Sequence, residues 1–193
     1  MINSELGHVK TLKQFHAEIV RQQTEAHGKH YCDHHEVIKE RMKECDSYME
    51  LGTHQGGTAS AALLTKPKKI VLVDNDMSRY RKFLQPIAEE FCLKHKIILK
   101  EIEQDSTHLK SSGGPVDFLL IDSYHHPQHM SRELMTHQVN IKKYILAHDT
   151  SIINGRQNSS LYETLVRFCD QYPFKVIERN EVAEGYTLLE RVS

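Results

Sequence analysis

The sequence predicts an α/β fold: a three-layer α/β/α sandwich around a mostly parallel seven-stranded sheet with an antiparallel last strand, preceded by N-terminal helices. Three observations predict it. From Tyr48 onward, short apolar runs alternate with segments of helical spacing, as in βαβ units. Ile70-Val71-Leu72-Val73 is a continuous apolar, largely β-branched run of the kind buried on both faces of a parallel sheet. The last two strand-like runs are joined by a turn at Glu184-Gly185, too tight for a helical crossover, so they must run antiparallel to one another.

Taken in order, Leu12, Phe15 and Ile19 recur at helical spacing, and Ile38, Met42 and Cys45 repeat the pattern after a connection around Ala26 to His30. Asp33 and Glu36 have the spacing of an acidic capping box for the second helix. Residues 1–46 thus form a helical extension and residues 47–193 the α/β domain. The strands are Tyr48 to Leu51, Ile70 to Val73, Ile97 to about Ile102, Val116 to Ile121, Tyr144 to Ala147, Phe174 to Glu178 and Tyr186 to Leu189. Between them lie a helix from Ala59 to Leu64 and a second set, Tyr80 to Phe91, which Pro86 should kink or divide. A third helix opens at Pro127 and carries Met130, Leu134 and Val139. The last has capping-box spacing at Ser160 and Glu163. Gly113-Gly114-Pro115 reads as a turn.

Composition narrows the class. A length of 193 residues suits one domain, and 39% hydrophobic with 26% charged residues is ordinary for a soluble globular chain. A net charge of −1 gives no bulk attraction to nucleic acid or anionic membranes. No apolar run approaches the roughly 20 residues needed to span a bilayer, and Met1 to Lys10 lacks the apolar core of a signal peptide. Cys32, Cys45, Cys92 and Cys169 are scattered, which reads as reduced thiols in a cytoplasmic protein.

The candidate chemistry lies at the strand ends, where open α/β sheets bind ligands. The first strand ends in Glu50-Leu51-Gly52-Thr53-His54-Gln55-Gly56-Gly57-Thr58, a glycine-rich turn running into a helix N-terminus. Asp74 and Asp76 follow the second strand, Asp105 and Ser106 the third, Asp122 the fourth, and His148 with Asp149 the fifth. Asp74 stands about 20 residues beyond the first glycine, where an acid binds ribose hydroxyls. The glycine spacing is not Gly-x-Gly-x-x-Gly, so the turn suits a nucleoside with an amino-acid tail better than a pyrophosphate.

That ordered set resembles the class I S-adenosylmethionine-dependent methyltransferases, whose domain is Rossmann-like. The resemblance is greatest to the cephalosporin hydroxylase-like branch, which includes sugar O-methyltransferases. Glu50 to Thr58 resembles motif I, Val73-Asp74-Asn75-Asp76 the Val-Asp-x-Asp element, and Glu103 to Thr107 the Gly-Asp-Ser-Thr element. Ile121-Asp122-Ser123-Tyr124-His125-His126 resembles Leu-Asp-Ser-Asp-His, with Glu133-Leu134 downstream, and Tyr144 to Thr150 resembles a strand ending in an acid pair or His-Asp-Thr. The similarity runs from about Tyr48 to Arg191.

The resemblance implies S-adenosylmethionine as cofactor, with its methionine portion around Glu50, Gly52, Thr53, His54, Gly56, Gly57 and Thr58. It implies ribose at Asp74 with Asp76 nearby, and adenine beside Asp105 and Ser106. Asp122 would touch cofactor and, with His148 and Asp149, a divalent metal, magnesium being the ion suited to oxygen ligands. His125 or His126 would accept the proton of a hydroxyl on a small-molecule acceptor, a sugar or a similar hydroxylated metabolite. The N-terminal helices and the loop from Thr150 to Ser159 would cover that acceptor, and a homodimer is expected.

Two positions depart from the pattern: Tyr124 and His148 stand where acids occur, removing negative charge from the implied metal site. A set of His125, His148 and Asp149 would suit a softer ion such as zinc. Two rival readings are an NAD-dependent oxidoreductase, disfavoured by the glycine spacing and the antiparallel last strands, and a cofactor-binding protein without catalysis. The remaining histidine group, His27, His30, His34 and His35 with Cys32, fits no zinc spacing and reads as an exposed polar helix start.

Overall fold

A computed structural model describes residues 9–109, 114–153 and 155–192. The first eight residues, Gly113 of the expected glycine turn and Asn154 of the expected cover loop lie outside the described residues.

Two helices lead the chain, α1 (Leu12–His27) and α2 (Asp33–Arg41). Thr11 and Gln14 close a reciprocal capping box at the start of α1, whose buried face is Leu12, Phe15, His16 and Ile19. There follow β1 (Ser47–Leu51), α3 (Gly57–Leu64), β2 (Lys69–Asp74), α4 (Ser78–Phe83), α5 (Gln85–His95) and β3 (Ile98–Glu103). Pro86 divides α4 from α5 as expected, seated in the first turn of α5 where its missing N–H costs nothing. The second half contains β4 (Val116–Ile121), α6 (Pro127–His137), β5 (Ile141–His148) and a short hairpin of β6 (Ile152–Ile153) and β7 (Arg156–Gln157). It ends with α7 (Ser160–Cys169), β8 (Phe174–Asn180) and β9 (Tyr186–Arg191).

The main sheet has seven strands in the order β3-β2-β1-β4-β5-β9-β8, and β9 runs antiparallel to both its neighbours. Alternating strand residues feed two cores. Tyr48, Ile70, Leu72, Phe118 and Leu146 face α1 to α5, whereas Met49, Val71, Leu119, Ile121 and Ile145 face α6 and α7. The three-layer sandwich is therefore present, with the N-terminal helices built into one core rather than appended to it. The strand order reverses between β1 and β4, so their C-terminal ends diverge into the crevice that such sheets offer to ligands. Among the described residues no helix is long and apolar enough to cross a membrane.

Local readings are corrected in four places. Asp33 is the first helical residue after Cys32 and makes no cap; its carboxylate meets His30 Nδ1 at 2.9 Å instead. Ser160 likewise begins α7, and it is Ser159 whose hydroxyl donates to Glu163 at 2.7 Å. Val139 lies beyond α6 in a 3-10 turn and is exposed. His34 and His35 are the largest departure. They are only 3% and 1% exposed, because α2 turns that face onto α3 and the end of β5.

Candidate active site

The first bend is set by close backbone approach. Gly52 sits at φ +94, and a Cβ there would lie 2.1 Å from the Asp122 carbonyl oxygen. Only glycine lets β1 and β4 end this close together. The Gly52 N–H donates to Val73 O at 2.8 Å, and the Asp122 N–H donates to Leu51 O at 2.9 Å, so three strand ends are tied at one point. Gly56, at φ +85, is hemmed in by Leu84 and plays a folding role, leaving Gly57 to open α3.

Asp74 organises the next loop. Its Oδ2 accepts from the His54 N–H at 2.7 Å and its Oδ1 from the Asp76 N–H at 3.0 Å. A cleft of about 440 Å³ opens beside it, bordered by Gly52, His54, Asp74, Asp105, Ser106 and Asp122 among others. A smaller cavity of about 140 Å³ continues under α1 and α2, where Thr53, Gly57 and Thr58 meet Tyr31 and His34.

Three of the expected ligand contacts do not border either space. Gly56 is one. Asp76 turns its carboxylate to the Ser78 N–H, 2.9 Å away, at the first residue of α4. Glu50 is fully buried beneath the turn, where its Oε2 accepts from Tyr48 Oη at 2.8 Å and Thr58 Oγ1 at 2.9 Å. Burial pushes the Glu50 carboxyl up to about 8, against the hydrogen bonds from Tyr48 and Thr58 that favour its charged form. The folded protein thus holds a proton that the unfolded chain releases near 4.5. Stability from this group is full below that value, declines as pH rises, and reaches its floor above about 8. Glu50→Gln should therefore gain on the wild type over that interval and run parallel to it at higher pH, as denaturant unfolding at stepped pH will show; parallel curves throughout would refute the buried proton.

Between the cleft and the smaller cavity two carboxylates and two imidazoles interlock. His148 Nδ1 lies 3.4 Å from Asp122 Oδ1 and 3.2 Å from Asp149 Oδ2; His125 Nε2 lies 2.8 Å from Asp149 Oδ2 and 3.3 Å from Asp122 Oδ1. Asp149 takes φ +55, an uncommon conformation for a non-glycine residue and one that aspartate tolerates better than most. Burial alone would discharge His148, but Asp122 and then Asp149 raise it to about 10, and the same carboxylates raise His125 to about 10. In turn, His148 and His125 overcome the burial of Asp122 and hold its carboxyl well below the usual range. Two cations and two anions compensate each other there. Asp122, His148 and Asp149 offer ligand atoms within 4.8 Å of one another, and this carboxylate–imidazole donor set fits a divalent transition ion.

His126, the other expected base, is used differently. Its Nδ1 accepts from the Gln128 N–H at 3.3 Å as the cap of α6, its ring stacks on Tyr124, and it does not border the cleft. Other residues join the site without any local signal in the sequence. Tyr31 borders both spaces. The His34 ring packs 4.0 Å from that of His148, and burial, then the charge on His148, keep it neutral. His35, driven down to about 3 chiefly by burial, is a second neutral imidazole behind it.

The strand order, the glycine turn and the acid-ended strands converging on one cleft define the class I methyltransferase fold. No protein-family profile and no curated protein matches this chain. Among solved structures it is similar to the O-methyltransferase from Bacillus cereus in complex with S-adenosylhomocysteine, at 12% identity over 96% of this chain and 94% of that one, with a TM-score of 0.61. It is similar to the S-adenosylhomocysteine-bound Podospora anserina methyltransferase PaMTH1, at 12% identity, 96% and 89% coverage and a TM-score of 0.61. The O-methyltransferase TomG from Streptomyces achromogenes, solved with S-adenosylmethionine, matches at 10% identity, 83% and 80% coverage and a TM-score of 0.55.

Proposed function

We propose that the protein is an S-adenosylmethionine-dependent methyltransferase that methylates an oxygen of a small hydroxylated molecule with the help of a divalent metal. The observation that carries this reading is a cleft that Asp74, Ser106, Asp122, His125 and Asp149 all border, with His148 against both Asp122 and Asp149 from the adjoining smaller cavity. The fold neighbours solved with S-adenosylmethionine or S-adenosylhomocysteine support the choice of cofactor. The sequence resemblance to sugar-modifying enzymes supports a hydroxylated acceptor.

When bound, S-adenosylmethionine supplies an electrophilic methyl group, and a divalent ion supplies a Lewis acid that lowers the pKa of a hydroxyl. Asp74 is available to the ribose, since its carboxylate borders the cleft while its backbone-directed bonds keep it in place. Asp122, His148 and Asp149 would hold the ion. His125, at the cleft wall and next to Asp149, would take the hydroxyl proton once a bound cation has lowered its affinity for its own. Tyr31 and the neutral His34 border the smaller space from the N-terminal side.

Calorimetry with S-adenosylmethionine, S-adenosylhomocysteine and NAD tests the cofactor; tight NAD binding without adenosyl-ligand binding would sink the reading. Methyl transfer to a panel of glycosides and other hydroxylated metabolites, with magnesium, zinc or a chelator, tests the chemistry. Product is expected with a divalent ion and is expected to disappear with the chelator.

A further inference from the structure

Behind the cleft, on the Ser106 side, lies a carboxylate with no part in the proposed methyl transfer. Glu133, on α6, is fully buried, yet its Oε1 gathers three polar groups. The Ser106 hydroxyl donates to it, the Ser123 hydroxyl donates to it at 2.6 Å, and His129 Nε2 stands 3.3 Å away. The other oxygen, Oε2, has no hydrogen-bond partner among the described residues. Ser106, Ser123 and His129 also border the cleft, so what they offer to Glu133 decides what they can offer to a ligand.

We propose that Glu133 fixes the direction of the Ser106 and Ser123 hydroxyls and so makes the cleft select a purine carrying an amino group at C6 over its 6-oxo counterpart. This rests on the adenosyl-ligand reading above and adds to it the residue that sets base specificity. A serine hydroxyl has one proton to donate and lone pairs that accept. Both serines commit that proton to Glu133 Oε1; His129 Nε2, 3.4 Å from Ser106 Oγ, engages one lone pair of Ser106, and only acceptor capacity remains toward the cleft. The Ser106 backbone is held as well, since its carbonyl accepts from His137 Nε2 at 3.0 Å.

The protonation state of Glu133 does not reverse this arrangement. Burial raises its carboxyl, against the hydrogen bonds from Ser106 and Ser123. A proton carried by the acid belongs on the unpartnered Oε2, because Oε1 is already surrounded by groups that donate. In either state the two hydroxyls accept from the ligand. With the base beside Ser106, as the sequence resemblance implies, an adenine N6–H would meet a lone pair there, whereas a 6-oxo oxygen would set lone pair against lone pair.

The test is calorimetric titration of the wild-type protein with S-adenosylhomocysteine and with S-inosylhomocysteine, its 6-oxo analogue. The adenosyl ligand is expected to bind at least about tenfold more tightly. Glu133→Met fills a similar volume but cannot accept a hydrogen bond, which frees both hydroxyls to rotate, so the ratio should fall toward one; thermal unfolding checks that the variant is folded. Should it not fold, Ser123→Ala leaves the buried carboxylate in place and removes one acceptor, weakening the adenosyl ligand while sparing the inosyl one. Equal affinities in the wild type would overturn the proposal, as would an undiminished ratio in whichever of these variants folds. Failure of the wild type to bind either ligand would overturn the adenosyl-ligand reading itself, and this proposal with it.

Discussion

Gly52→Ala is expected to destabilise the fold by about 3 kcal/mol or more, combining the cost of a side chain at positive φ with that of overpacking, and to abolish adenosyl-ligand binding. The reason is geometric. The added Cβ would meet the Asp122 carbonyl oxygen at 2.1 Å, the Asp122 carbonyl carbon at 2.6 Å and Ser123 Cα at 2.9 Å. All three are backbone atoms of the strand end that carries the site, so relief requires β1 and β4 to separate. Separation would break the Asp122 N–H to Leu51 O bond and move the Asp122 carboxylate away from His148. Gly57→Ala is the contrasting control. Its added methyl would meet only side chains, with Ile19 Cγ2 nearest at 3.1 Å, and its φ is unexceptional. Denaturant unfolding and calorimetry on the two variants check the contrast. Wild-type stability and binding in Gly52→Ala would mean that the turn is not built as described.

His148 is expected to govern metal preference. With an imidazole between two carboxylates, the wild-type protein should bind cobalt or zinc more tightly than magnesium, which prefers all-oxygen coordination. His148→Ala should lower cobalt affinity by at least about tenfold, the lower range measured for losing even an outer partner of a metal ligand. His148→Asp replaces nitrogen by oxygen, and it should narrow the zinc-to-magnesium ratio even though the intrinsic order of the ions still favours zinc. The visible spectrum of bound cobalt provides a readout independent of turnover, because its bands shift when a nitrogen ligand is exchanged for oxygen. A wild-type protein that binds none of the three ions would remove the metal from the mechanism, and a His148→Asp variant with an unchanged ratio would remove His148 from the ligand set.

Much of the fold was legible because its signals are local. Apolar runs of strand length, the glycines of the first turn and Pro86 between two helices place the elements in order, and the tight turn before Tyr186 forces the antiparallel ending. The acids at Asp74, Asp105 and Asp122 and the pair at Asp149 were legible for a related reason. Parallel strands bring their C-terminal ends to one edge of the sheet, so residues that end successive strands become neighbours without further information.

The same logic could not separate His125 from His126. Both follow Asp122, and only the entry angle of α6 decides that one reaches Asp149 while the other caps the helix. Nor could it separate Asp74 from Asp76, since the start of α4 claims the second carboxylate. In each case two adjacent or near-adjacent residues of the same type are distinguished by what the following helix needs.

What the sequence by itself determined is the order of the elements, the parallel sheet with its antiparallel last strand, and the polar strand ends that come to border one cleft. Periodicity and turn chemistry act within a few residues, and the sheet converts them into position. Only the tertiary structure decided that His34 and His35 turn inward against His148, that Glu50 lies beneath the turn rather than in it, and that Glu133 gathers Ser106 and Ser123 from two other segments. Those outcomes depend on which distant surface covers a polar group and which partner then satisfies it, and that is settled by packing between elements far apart in the chain.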